Sequence, residues 1–256
     1  MSTAENVKAQ LSALLNQANN TTGKADANLT AAVASLAAGF GQGGSGGGGA
    51  TEPYIEEVID DNGNLINATL HGHTIIRDFT FYSCLKLAST SLPSGLISIG
   101  AYAFYSCSML TSMSLPSGLT SIGDNAFEHC SKLASMSLPS GLTSIGNNAF
   151  LGCSMLALTS LPSGLTSIGD QAFKHCSKLA LTSLPSGLTS IGNQAFNKCL
   201  GLISLTFEGK PTSIARSAFT ECTNLTTINV PWAQEEVANA PWGAKNATIN
   251  YNYTGA

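Results

Sequence analysis

Residues 161–183 read LPSGLTSIGDQAFKHCSKLALTS, and variants of this 23-residue phrase recur on both sides of it. Cysteine keeps the step at Cys84, Cys107, Cys130, Cys153, Cys176, Cys199 and Cys222. Phenylalanine keeps it at Phe81, Phe104, Phe127, Phe150, Phe173, Phe196 and Phe219. Isoleucine does so at Ile76, Ile99, Ile122, Ile145, Ile168, Ile191 and Ile214. A fixed period of this length over seven copies is the signature of a solenoid, in which each turn buries its apolar face against its neighbours.

Counted from each cysteine, the constant apolar positions are Leu at +3, +8 and +12, Ile at +15, Ala at +19 and Phe at +20. These define inward ladders, and the variable Ser, Thr, Asn, Lys, Glu and His positions between them face water. Residues 111–115, TSMSL, alternate with period two and read as a strand. Pro116 stops it with a Pro-Ser-Gly turn signal that recurs at Pro139, Pro162 and Pro185. The piece LTSIG reads as a second short extended segment whose last Gly suits a positive φ. The spacing in A-F-x-x-C predicts a single helical turn that drives Phe inward. Turns stacked at ~4.8 Å make a rod or shallow arc of ~30–35 Å.

Outside the repeats the composition changes twice. Residues 1–40 carry Val7, Leu11, Leu14 and Leu15, then Leu29, Ala32, Val33, Leu36 and Phe40, at helical spacing on either side of a break at Asn20–Gly23. Helices this short are marginal alone. They read as an anchor or oligomerisation segment, with a hairpin closed on itself as the alternative. Residues 41–51 are a Gly-rich linker, GQGGSGGGGA followed by Thr51. Gly39, Gly41 and Gly44 formally fit G-x-G-x-x-G, but no strand precedes them, so they make no dinucleotide site. Residues 52–75 form an entry cap, 76–230 the solenoid and 231–256 a closing cap.

Charged residues are 10% of the chain, well under the usual roughly 25%. The net charge of −4 argues against a nucleic-acid partner. No run approaches the ~18 apolar residues of a membrane span. The first residues lack the basic and apolar regions of a secretory signal, so none is expected. One cysteine per turn, in odd number, reads as a column of buried, reduced thiols. Parallel side chains on one ladder disfavour disulfides, and no C-x2-C pair suggests a metal. His129 and His175 lie two turns, or ~10 Å, apart, too far to share a metal, and His71 and His73 read as a surface pair. No G-x-S-x-G with triad partners occurs. No catalytic constellation, cofactor or metal is expected, and the chain reads as a non-enzyme.

The unit resembles the BspA-like (Treponema-type) leucine-rich repeat. Ile122, Gly123, Ala126, Phe127, Cys130, Leu133, Leu138 and Pro139 match it residue by residue, as do their equivalents over residues 76–231. The resemblance implies a β-rich solenoid that serves surface adhesion by binding protein or glycan. Arg77, Thr80, Ala215 and the segment Phe207–Pro211 depart from the pattern, as end-adapted repeats do. Residues 14–36 and 230–255 resemble short motifs of proteins carried by phages and prophages of Firmicutes-type bacteria. This implies a virion protein (tail, fibre or decoration) joined to other virion proteins through its N-terminal segment. It would form a homo-oligomer, a trimer by analogy with phage fibres, and present its repeats to a host-surface protein or glycan. A bacterial cell-surface adhesin is the alternative, and a purely structural virion part the second.

One irregularity marks a candidate binding face. The sixth residue after the cysteine is Met113, Met136, Leu205 or Ile228, but two copies place Thr159 and Thr182 there and shift the leucines, Leu158 and Leu181, one position earlier. A one-residue shift in a strand moves a side chain to the other face. Either the strand bulges and returns both leucines to the core, or they form an outer patch with Lys178.

Overall fold

A computed structural model describes residues 53–255. The helical anchor and the Gly-rich linker expected within residues 1–51 lie outside the described residues. Each repeat forms one turn of a solenoid with two extended pieces. On one face, an antiparallel hairpin of β1 (Tyr54–Ile59) and β2 (Leu65–His71) comes first, and β2 pairs in parallel with β4 (Ser89–Ser91) of the first repeat. Two parallel groups follow: β6 (Ser112–Ser114) with β8 (Ser135–Ser137), then β11 (Ser183–Leu184), β13 (Ser204–Phe207), β15 (Thr227–Asn229) and β16 (Thr248–Asn250).

The second face is a continuous seven-stranded parallel sheet. It runs through β3 (Ile75–Ile76), β5 (Ser98–Ile99), β7 (Ser121–Ile122), β9 (Ser144–Ile145), β10 (Ser167–Ile168), β12 (Ser190–Ile191) and β14 (Ser213–Ile214). From β3 onward Ile pairs with Ile. A constant period makes this register unavoidable, because each residue lies opposite its own copy. The Pro-Ser-Gly segments close β-turns between the faces, with Leu119 N donating to Pro116 O at 3.1 Å and its equivalents alike.

The arc before each cysteine corrects an expectation. No residue of it is helical, and in the first six repeats residues five and one before the cysteine take positive φ, as at Asn125 (58°) and His129 (60°). Alternate N–H groups leave the turn: Asn125, Phe127 and His129 donate to Asn147, Ala149 and Leu151 of the next turn, all at 2.8 Å. The residues between bond within it, Glu128 to Asn125 O and Cys130 to Phe127 O. A helix would keep its donors for itself, whereas the solenoid needs half of them for its neighbour. The inward direction of Ala and Phe is unaffected.

The core is a stack. All seven repeat Phe side chains are buried, and successive ring centroids lie 5.0–5.5 Å apart. The closing cap is an eighth turn: Trp242 stands 23 residues after Phe219, buried, and its carbonyl accepts the Phe219 N–H at 2.9 Å. Phe207 and Trp232 pack edge-on at 5.3 Å beside it.

Candidate functional site

Leu158 and Leu181 are 5% and 2% exposed, so the outer apolar patch does not exist. The chain leaves the strand path here: Thr159 and Ser160 face water, and on this face the fourth repeat contributes no strand between β8 and β11. Returning a leucine to the core is worth roughly 1.5–3 kcal/mol, more than the ~1 kcal/mol net of a ladder hydrogen bond, so burial overrides register. Of the three residues, only Lys178 is exposed.

The cysteines form a buried column of free thiols, Cys84 being partly exposed. From Cys107 to Cys222, each Sγ donates to a Phe carbonyl of the preceding turn at 2.9–3.1 Å. Burial pushes every thiol pKa up, to about 12 for Cys84 and Cys222 and further for those between. Such thiols are poor nucleophiles and poor metal ligands. No group of three His, Cys, Asp or Glu is placed to hold a metal among the described residues. His71 contacts Glu56 at 3.4 Å and stacks on Tyr54.

The repeat acids hold the fold. Asp124 Oδ1 accepts the Asn147 N–H at 2.7 Å, Asn147 Oδ1 that of Asp170 at 2.8 Å, and Asp170 Oδ1 that of Asn193 at 2.7 Å. Glu128, expected on the outside, is buried and bonded to Asn125. Beside this ladder runs a shallow groove of about 410 Å³ over Gly123, Gly146 and Gly169, floored by backbone and serine. It exists because the glycine column carries no side chains, and it offers no nucleophile–base pair.

What the turns do assemble is an aromatic cluster. Phe79 stacks on Tyr102 at 4.8 Å, and Tyr82 on Tyr105 at 4.9 Å, each pair within 6° of parallel. Tilted contacts at 5.7–6.4 Å join the two columns, and His129 meets Tyr105 edge-on at 5.9 Å. All four rings are half-buried on the outer surface of the first two repeats. The signal is present in the sequence: the later copies hold Asn125, Asn148, Gln171 and Gln194 in the first column, and Glu128, Leu151, Lys174 and Asn197 in the second. Periodicity does not reveal it, because the rings stand at positions that vary between copies while the period is carried by the constant core.

The BspA type leucine rich repeat region matches in 6 copies, over residues 74–179 and 156–241. The chain belongs to that family. Among solved structures, a leucine rich repeat protein of Treponema pallidum is 28% identical, with a TM-score of 0.53 over 69% of this chain and 81% of that one. A leucine rich cell surface protein from Faecalibacterium prausnitzii is 21% identical, with a TM-score of 0.44 over 71% of each chain. A leucine-rich repeat protein from Bacteroides ovatus is 19% identical, with a TM-score of 0.37 over 78% and 75%. No curated protein matches the chain. In this BspA-type solenoid the Ile, Phe, Cys and Leu positions build the core, and the outer positions are the ones that change from copy to copy.

Proposed function

We propose that this BspA-type chain is a non-enzymatic attachment protein. Its solenoid presents an outer surface to a protein or glycan on a host cell, and residues 1–40 join it, as a homo-oligomer, to the other proteins of a virion. The observation that carries the binding part is the cluster of Phe79, Tyr82, Tyr102 and Tyr105. The core does not need these rings, since Phe81 and Phe104 already fill the first two turns. Rigid aromatic rings with polar edges are the side chains that most often dominate binding energy. The resemblance of residues 14–36 and 230–255 to phage-carried segments supports the virion placement. A bacterial-surface adhesin would use the same surface from a different mount.

Two measurements test this. Mass spectrometry of purified virions from the source strain should detect peptides of this chain. Finding them only in the cell envelope assigns it to the adhesin alternative. The Tyr82→Ala/Tyr105→Ala chain should melt close to the unchanged protein but bind host cells at least about tenfold more weakly. Unchanged cell binding would move the attachment surface elsewhere.

A further inference from the structure

Two residues beyond the cysteine, the first five repeats carry Lys86, Met109, Lys132, Met155 and Lys178. Stacking of the turns places these in one outer row in which lysine and methionine alternate. All three lysines are exposed, as are Met109 (36%) and Met155 (46%). Lys132 Nζ lies along the row, 3.1 Å from Met109 Sδ. In the sixth repeat the position is Gly201, where a Cβ would run into the Leu179 backbone, so the row stops.

The row is electrostatically uncommitted. Among the described residues none of its lysines holds an ion pair. Asp60 feels the Lys86 charge, but its carboxylate is taken by Asn62 and Asn64. Beside the row, Lys198 is paired with Glu221 at 3.6 Å and Lys174 donates to Gln171 and Gln194. His129 and His175 lie next to the cysteines of two lysine-bearing repeats, and Glu128 is engaged with Asn125 and His129. An excess of positive charge therefore sits on one edge of a chain whose net charge is −4.

Spacing selects the ligand. Successive turns lie 5.0–5.5 Å apart at the Phe rings, so consecutive lysines, two turns apart, are anchored about 10 Å from each other. Duplex DNA phosphates at about 3.4 Å per strand are far denser than this. An extended peptide, at ~3.3 Å per residue, would need an acid at every third position, and those alternate between its two faces. A polysaccharide charged on every second sugar meets the spacing on one side and brings an uncharged ring over each methionine. Sugar C–H faces suit the polarizable thioether there.

We propose that the row from Lys86 to Lys178 binds a linear anionic glycan laid along the solenoid axis, one charge to each lysine. The proposal rests on reading the solenoid as an attachment surface and names the class of ligand.

The test uses the full chain and three polyanions: hyaluronan, which has one carboxylate per disaccharide, polyglutamate and duplex DNA. Hyaluronan should bind at low salt and tightest of the three, with affinity falling as salt rises. The Lys86→Gln/Lys132→Gln/Lys178→Gln chain should melt normally and bind it at least about tenfold more weakly. A second variant, Lys132→Met/Met155→Lys, keeps the charge and breaks the spacing; it should lose a similar factor. Full affinity in either variant, equal binding of polyglutamate or DNA, or no hyaluronan binding overturns the proposal. Host-cell binding separates the two readings. If the Tyr82→Ala/Tyr105→Ala chain loses it while both lysine-row variants keep hyaluronan and cell binding, the attachment reading stands and the glycan assignment falls.

Discussion

At the scale of single residues, the cysteine column stores a dependence on pH. Burial holds each thiol protonated in the folded chain, with Cys84 and Cys222 titrating at about 12 against an ordinary value of 9.0. The unfolded chain releases those protons near pH 9, so the thiols' contribution is complete below that pH and is lost as pH climbs from 9 towards 12. Each thiol accounts for about 1.4 kcal/mol per pH unit in that window. The seven act on one cooperative structure, so unfolding should set in early within the window. A circular-dichroism titration with a thiol reagent present should show the solenoid signal and thiol protection vanish together. Retention of both at pH 12 would show that the stability of the solenoid exceeds what proton release from the unfolded thiols removes.

At the scale of one element, the glycine that follows five of the six Ser-Ile strands has a different purpose from the one its position suggests. Gly100, Gly123, Gly146, Gly169 and Gly192 are absent from the residues with positive φ, so conformational freedom does not explain them. Close approach does: a Cβ on Gly146 would lie 2.6 Å from Asp124 N and Gly123 C of the preceding turn. Gly146→Ala should therefore cost about 1–3 kcal/mol as backbone is pushed apart. Gly118→Ala, whose Cβ would meet nothing nearer than Leu96 O at 3.6 Å, should be neutral or slightly stabilising. Denaturant midpoints of the two variants decide it. Equal losses would show that space between turns is not the constraint.

At the scale of the molecule, a solenoid is finished by its ends. The hairpin of β1 and β2 covers the first repeat, and the eighth turn, with Trp232 and Trp242 buried, covers the last. The core is thus capped at both ends within residues 53–255. Proteolysis within the glycine tract should leave the melting temperature of the solenoid unchanged and convert the proposed homo-oligomer to monomers in sedimentation. A fall of several degrees would mean that the N-terminal segment packs on the repeats.

Legible in the sequence alone were the 23-residue step, the stacked Phe and Cys columns and the two extended pieces per turn. The physical reason is that identical residues at a constant period must stack on themselves, so periodicity already specifies register and inward direction. Three things depended on tertiary structure. Leu158 and Leu181 lie inside because burying a leucine outweighs the loss of a ladder hydrogen bond, a balance that alternation alone does not express. The arc before each cysteine is a run of β-turns because half of its N–H groups serve the next turn, and a local reading counts only bonds within the segment. The aromatic cluster and the lysine row join residues that are 23 or 46 positions apart. In the chain these are single outer residues or close pairs, and only the stacking of turns brings them together as a surface.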